Sequence, residues 1–456
     1  VGRRAILPAQ YAEIAAAYRA GATTVALAVQ YRVSEGTIRM AVIARGEKIR
    51  PRAERSRRMH AAAGRGTKRK PPGRGVWPRI PADEWAQLRA TKSEDELVAH
   101  LEAVLKGCPI PYPKISDQKA AEAFDDLCML PFDRLFGEGP IALLRSPDAP
   151  QAPYHLALKP PGNAASNQLF YVQRWATPRA EAPSVERRWH DPELRRKVYR
   201  RFLKLSGVHE VSPATMRQAL CVTGGTPSQF KPGVARALYE LTGAQDVLDF
   251  SAGWGDRLVG FCAAPGTRRY VGIDPNRALH PLYQEVAARY ARGKSTEFIC
   301  GPAEEALLPA ASFDLAMTSP PYFGVERYAA GAEWARDQSW ARYATAEAWR
   351  AGFLAQAIRR VWAALRPGGV LAVNLADVKV RGEQIPLCAW LRQEVTACES
   401  SVPLPVIGLR LQAGNYSTID RTRLSGEPVW MWSKGALGRP FKSVHRNITE
   451  EVRPAL

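Results

Sequence analysis

Val247-Leu-Asp249-Phe-Ser-Ala-Gly253-Trp-Gly255-Asp256-Arg257 reads as a short apolar strand, a glycine turn and the opening of a helix. Glycine at two of these positions permits close backbone approach by a ligand at a helix N-terminus. Alone, such a loop is either a nucleotide site or a tight strand-to-helix turn. The sequence around it decides. From about residue 230 apolar runs alternate with amphipathic ones, giving candidate strands at 246–250, 270–274, 297–300, 313–317, 370–375, 405–411 and 428–433. Helical patterns such as 278–291 and 345–365 separate most of them. Seven strands interleaved with helices predict an α/β, doubly wound, largely parallel sheet, whose ligands lie beyond the carboxyl ends of the strands.

Three further strand ends carry polar or turn-forming residues. Tyr270-Val-Gly-Ile-Asp274 ends in a carboxylate suited to a ribose diol, with an ordinary helix cap before Pro275 as the alternative. Cys300-Gly-Pro-Ala303-Glu304 is placed to border a purine. Phe313-Asp-Leu-Ala-Met-Thr318 runs into Ser319-Pro320-Pro321-Tyr322. Two prolines cannot continue a central strand and fix φ near −65°, so the backbone leaves the sheet stiffly, with a hydroxyl before the turn and an aromatic ring after it.

Together these motifs resemble the S-adenosylmethionine-dependent amino-methyltransferases of DNA, over roughly 230–435. The resemblance implies a seven-stranded class I, Rossmann-like methyltransferase sheet. It implies a cofactor site at Asp249, Ser251, Ala252, Gly253 and Gly255, with Asp274 on the ribose, Ala303 and Glu304 beside the adenine, and Thr318 adjoining. Phe230-Lys231-Pro232 resembles the segment holding the methionine end. Leu365-Arg-Pro-Gly368-Gly369 resembles the turn into the fifth strand, and Glu427 to Lys434 the closing strand. Ser319, Pro320, Pro321 and Tyr322 correspond to the catalytic loop. There the hydroxyl and the Pro320 carbonyl accept the amino hydrogens of a base flipped from the duplex, and Tyr322 stacks on it.

Serine at 319, where adenine-N6 enzymes usually carry Asp or Asn, points toward N4 of cytosine. No cysteine adjoins the Pro-Pro pair, against carbon-5 methylation by thiolate attack. Methylation of adenine N6, of RNA or of protein remains an alternative, as does a DNA-binding regulator that only holds cofactor.

A DNA partner is also suggested from the other end of the chain. Residues 9–20, 24–31 and 35–44 pattern as three short helices, with Tyr11, Ile14, Ala15, Tyr18, Val25, Ala28, Val29, Ile38, Val42 and Ile43 as one small core. They resemble the helix-turn-helix of resolvase and transposase-like proteins. That leaves Ser34, Glu35, Thr37, Arg39 and Arg45 as candidate contacts to double-stranded DNA. A plain three-helix module fits the same pattern.

Residues 45–79 hold thirteen Arg or Lys against two Glu, supplying +11 of the chain's net +20. That composition predicts a disordered basic tether whose Arg65, Lys68, Arg69, Lys70 and Arg74 track phosphates.

The expected organisation is a DNA-binding unit at 1–45, a basic linker at 46–80, an accessory region at 81–229, the methyltransferase domain at 230–440 and a tail at 441–456. Target recognition is expected from the material before residue 230, the accessory region included, or from the insertion 323–345, with Phe323, Glu326, Arg327, Tyr328, Trp334 and Trp340, core packing being the expected role of at least half of those aromatics. The basic run 192–204 reads as a helix facing either phosphates or solvent.

Seven scattered cysteines without a Cys-x-x-Cys pair, and histidines without ligand spacing, predict reduced thiols and no bound metal. No signal peptide or membrane-length apolar run is visible. The expectation is a cytoplasmic, nucleoid-associated protein without a membrane partner.

Overall fold

In the computed structural model, the described residues are 10–20, 24–31, 33, 35–43, 45, 77–137, 139–156, 161–178, 182–223, 226–411 and 425–442. They fall into two units, Val1–Arg74 and Gly75–Leu456.

In the first unit, helices Gln10–Arg19, Thr24–Tyr31 and Glu35–Ile43 bury Ile14, Ala15, Tyr18, Leu27, Ile38, Ala41 and Val42. Ile43, expected in this core, is 52% exposed. Ile38, Ala41 and Val42 stand at i, i+3 and i+4 on one helix face, and a residue at i+5 turns away from it. Tyr11 packs against the core, Thr37 is half-buried and Arg45 exposed. The side chains of Val25, Ala28, Val29, Glu35 and Arg39 lie outside the described residues. So do Ser34 and the tether expected over 46–80, as far as residue 76, with Arg65, Lys68, Arg69, Lys70 and Arg74. The expected tail is described only for Phe441 and Lys442.

The second unit is organised by its sheet. Seven strands realise the alternation read from the sequence: β5 Asp246–Asp249, β6 Arg269–Asp274, β7 Ser295–Cys300, β8 Phe313–Thr318, β9 Leu365–Asn374, β12 Ser401–Arg410 and β13 Ser425–Lys434. They lie in the order β7-β6-β5-β8-β9-β13-β12, with β13 antiparallel to both neighbours and the rest parallel. Numbered within the seven, this is 3-2-1-4-5-7-6, the strand order of the class I methyltransferase sheet.

Alternate residues divide two cores. Val247, Leu315, Met317, Val370, Ala372, Val429 and Met431 face one, with helices Pro232–Leu241, Asp256–Ala263 and His280–Tyr290. Leu248, Phe313, Ala316, Leu371, Val373, Trp430 and Trp432 face the other, with helices Ala355–Ala364 and Leu387–Thr396.

Four short strands within the accessory region expected at 81–229 extend the sheet: β1 Phe136–Gly137, β2 Ile141–Leu143, β3 Gln151–Ala152 and β4 Tyr154–Leu156. β4 continues the sheet beside β12, and β2 pairs with the start of β13. A small separate hairpin joins β10 Val378–Val380 to β11 Glu383–Ile385.

The helices between residues 80 and 222 build a third core around Trp85, Trp175, Trp189, Tyr199 and Phe202. Here the basic run forms helix Pro192–Leu203, and it lies on the acidic helix Glu94–Val104. Arg196 pairs with Glu102 at 2.9 Å, Arg200 with Asp95 at 3.2 Å and Lys204 with Glu94 at 3.6 Å. Much of its charge is therefore met inside the protein rather than left for phosphates.

Candidate active site

The floor of the site begins where β5 ends. Asp249 is sealed from solvent, and its Oδ2 accepts from Arg257 Nε at 2.8 Å and from the Tyr270 hydroxyl at 2.7 Å. Burial, then the Asp249 charge, raises the Tyr270 phenol well above its ordinary value, so it remains a donor. Beyond Asp249 the chain turns through Gly253 at φ 57° and Gly255 at φ 69°. The left-handed region favours glycine, and at 255 a Cβ would stand 2.5 Å from the Phe170 ring.

Asp274, at the end of β6, is braced against the same turn. Its Oδ2 accepts the Gly253 N–H at 2.8 Å and its Oδ1 the Asn276 N–H at 2.9 Å. Burial raises its carboxyl above the ordinary value, and these two N–H groups oppose the rise. A carboxylate has about four acceptor positions, so both oxygens retain capacity for a ligand. Tyr283 fixes the turn from the far side, its hydroxyl donating to the Gly253 carbonyl at 2.6 Å.

At the end of β8, Thr318 is buried with its hydroxyl 3.4 Å from Asp249 Oδ1. Ser319 to Tyr322 then leave the sheet, and the Tyr322 hydroxyl donates to the Asn374 carbonyl at 3.4 Å. Ser319 is half-buried, and no described group pairs with its hydroxyl. Glu304, beyond β7, accepts from the Tyr343 hydroxyl at 3.1 Å and pairs with Arg342 at 3.3 Å. Its carboxyl is pushed up by burial.

These strand ends enclose a cavity of about 300 Å³. Of the residues singled out by sequence, Phe230, Lys231, Ser251, Ala252, Gly253, Asp274, Ala303, Glu304, Ser319, Pro320, Pro321 and Tyr322 line it. Asp249, Gly255, Pro232 and Thr318 do not. Asp249 and Thr318 lie beneath the wall, Gly255 packs against Phe170, and Pro232 opens helix Pro232–Leu241 in the core. The motif's first acid thus holds the floor through Arg257, whose guanidinium also lies 5.1 Å from the Phe230 ring centre.

Several wall residues were not singled out: Gln229, Asp256, Asn276, Gln338, Asn374 and Arg410. Asp256 follows the second glycine and Asn374 ends the fifth strand, positions that could have drawn notice. Gln338 carries no local signal.

The insertion 323–345 contributes Val325, Glu326, Tyr328, Asp337, Gln338 and Ser339 to the wall. Its aromatic residues are engaged within the protein. Tyr328 packs edge-on to Trp254 at 5.6 Å and Phe323 against Trp349 at 6.3 Å. The Trp334 indole donates to Asn276 at 3.1 Å and the Trp340 indole to the Tyr328 carbonyl at 2.8 Å. Glu326 accepts from the Ser228 backbone and hydroxyl, at 3.2 and 3.1 Å. Arg327 is exposed, with its guanidinium 5.9 Å from the Trp340 ring centre.

Among the described residues no cluster of three or more metal-ligating side chains occurs, and no helix is long and apolar enough to cross a membrane. All seven cysteines are free thiols.

No protein-family model matches the sequence, and a search of curated proteins finds no match. Among solved structures, the chain is similar to the [4+2]-cyclase SpnF at 16% identity, over 45% of this chain and 82% of that one, with a TM-score of 0.31. An S-adenosylmethionine-dependent O-methyltransferase from Thermotoga maritima is similar at 10% identity, over 47% and 69%, with a TM-score of 0.29. The N-methyltransferase NodS from Bradyrhizobium japonicum is similar at 13% identity, over 44% and 92%, with a TM-score of 0.27. Likenesses of this size say nothing about the reaction, and the fold assignment stands on the strand order.

Proposed function

We propose that this chain is an S-adenosylmethionine-dependent methyltransferase acting on the exocyclic amine of a base in double-stranded DNA, with N4 of cytosine favoured over N6 of adenine. One observation carries the proposal: the Ser319-Pro-Pro-Tyr322 corner opens on the same cavity as Asp274 and Glu304, with the Ser319 hydroxyl unspent.

The wall's chemistry fits the cofactor. Asp274 would take the ribose hydroxyls, and Pro302, Ala303 and Glu304 would border the purine. Phe230 and Lys231 would flank the aminoacyl end. Bound there, S-adenosylmethionine supplies an electrophilic methyl group on a sulfonium.

The remaining work is positional. An exocyclic amine is a poor nucleophile because its lone pair is delocalised into the ring. Ser319 Oγ and the Pro320 carbonyl would accept its two hydrogens and favour a pyramidal nitrogen. Tyr322, tethered to the Asn374 carbonyl, would hold the ring plane. Orientation of this kind contributes on the order of 7–11 kcal/mol in well-aligned systems. A neutral hydroxyl can also donate to a ring nitrogen, whereas a carboxylate can only accept, but cytosine N3 and adenine N1 both offer that acceptor, so the preference for cytosine rests on the serine at 319 alone.

Support for a nucleic-acid partner comes from the net charge of +20 and its concentration between residues 45 and 79. In this proposal the N-terminal three-helix unit reads DNA, with Thr37 and Arg45 facing the duplex.

The test is an acceptor comparison, with methyl-labelled S-adenosylmethionine offered alongside duplex DNA, RNA or protein. Label is expected in DNA. Label confined to RNA or protein would overturn the DNA assignment, and label in none would overturn the enzyme.

A further inference from the structure

Asp274 and Glu304 stand on the β6 and β7 side of the cavity, whereas Arg145, Asn374, Arg410 and Glu427 line it from the other side, where β9 and β12 end and β13 begins. Two bonds tie that side to the Ser319–Tyr322 corner. The Tyr322 hydroxyl donates to the Asn374 carbonyl at 3.4 Å, and Asn374 Nδ2 donates to the Pro428 carbonyl at 3.0 Å, one residue from Glu427. This part of the wall therefore adjoins the proline corner and lies away from Asp274.

Arg145 reaches the wall from the accessory region in an unfavourable conformation. Its φ is 54°, in the left-handed region that L side chains disfavour. The backbone is held there from both sides: the Leu144 N–H donates to the Gly426 carbonyl at 2.8 Å, and the Arg145 carbonyl accepts the N–H of buried Asp377 at 2.8 Å. Glycine would make the same turn with less strain, so an arginine there points to a use for its side chain. Its guanidinium pairs with Glu427.

Arg410 ends β12. Its Cα partner on β13 is Gly426, and that of Leu409 is Glu427, which puts Arg410 next to the Arg145–Glu427 pair across the two strands. It is half-buried, and no carboxylate among the described residues pairs with it. His155 on neighbouring β4 offers no opposing charge, because burial, and then the Arg410 charge itself, lowers its pKa and keeps it neutral. At these strand ends two guanidinium groups face one carboxylate. The balance is one positive charge, which matches the single negative charge of a phosphodiester, and a guanidinium fork suits two phosphate oxygens.

We propose that Arg410 takes a backbone phosphate beside the base presented to Ser319, and that Arg145 is a positioning residue that holds Glu427 away from Arg410. The proposal rests on the duplex substrate argued above and adds a grip on its backbone.

Single-turnover methyl transfer from saturating S-adenosylmethionine to a mixed-sequence DNA duplex, followed across a salt series on the full chain, gives the half-saturating DNA concentration and its salt dependence. In Arg410→Gln the logarithmic salt slope is expected to fall by about 0.9, the loss of one phosphate contact, and half-saturation to rise about threefold or more. The rate at saturating DNA, and S-adenosylmethionine affinity by calorimetry, should stay within about twofold of wild type, since the contact is one of binding. Arg410→Lys keeps the charge and should keep the slope. Arg145→Gln should flatten the slope as Arg410→Gln does, and adding Glu427→Gln should restore it. Arg359→Gln removes one exposed charge at the opposite end of the strands, beside Pro367 and Lys434, and should change nothing.

An unchanged slope in Arg410→Gln, or an equal flattening in Arg359→Gln or Arg410→Lys, would overturn the phosphate contact. So would S-adenosylmethionine affinity that falls together with DNA affinity. Failure of Glu427→Gln to rescue Arg145→Gln would overturn the role given to Arg145. If the wild-type chain transfers no methyl group to duplex DNA, the proposed function fails and takes this contact with it, an outcome distinct from all of these.

Discussion

Arg257 pairs with Asp249 at 2.8 Å, Nε to Oδ2, with both side chains almost wholly withdrawn from solvent. Removing one member of a buried pair leaves an uncompensated charge, so Arg257→Met is expected to cost about 3–5 kcal/mol. Adding Asp249→Asn to it should recover part of that loss. Equilibrium urea unfolding of the two variants checks the order, and equal losses would contradict it.

Gly255→Ala tests the turn. The added methyl meets the Phe170 ring, and φ of 69° is strained for any L side chain. Helix Asp256–Ala263 must shift, and S-adenosylmethionine affinity is expected to fall tenfold or more. Gly266→Ala has open space around it and serves as the neutral control in the same titration.

Asp256 also makes stability depend on pH. Its folded pKa of about 6 lies above the ordinary carboxyl value of 3.8. Between those values the folded chain holds a proton that the unfolded chain has lost, so this group's contribution to stability is full below about pH 4. It declines as pH rises through 6 and is constant beyond. At 1.36 kcal/mol per unit the decline is on the order of 3 kcal/mol. Ligand-free Asp256→Asn should therefore gain on the wild type between pH 4 and 7, and denaturant midpoints across that range measure it.

Six of the seven strands were legible because they are apolar runs bounded by Gly, Pro or Asp, and the run of strand-end motifs is specific; β7, polar in its first half and nowhere fully buried, is the exception. β1 to β4 were not, because strands of two or three residues bounded by Pro and Gly carry no period. They form by adding to edges that β12 and β13 provide. The wall contribution of Gln338 was equally hidden, since it depends on an insertion folding back through the Trp334–Asn276 bond. Ile43 was misassigned for a local reason, one residue past the inward face.

Ser319→Ala should bind S-adenosylmethionine as the wild type does and lose about 100-fold or more in turnover, as removal of a positioned hydrogen-bonding group does. Binding and single-turnover measurements on one preparation separate the two effects. Near wild-type turnover would remove Ser319 from the reaction.

Deleting Val1–Arg74 removes the first unit whole and leaves Trp77, whose indole donates to the Pro109 carbonyl, within the second. DNA affinity should fall, and its logarithmic salt dependence should flatten by nearly one unit for each phosphate that is no longer neutralised. A slope equal to the full chain's would take this segment out of the interface.

The identity of the atom that receives the methyl group decides between the cytosine amine and every rival acceptor. Duplex DNA methylated by the full chain, digested to nucleosides and resolved by mass and retention, should yield N4-methylcytosine. N6-methyladenine would keep the amine chemistry and reverse the choice of base, whereas 5-methylcytosine, or no methylated nucleoside, would contradict the proposed reaction.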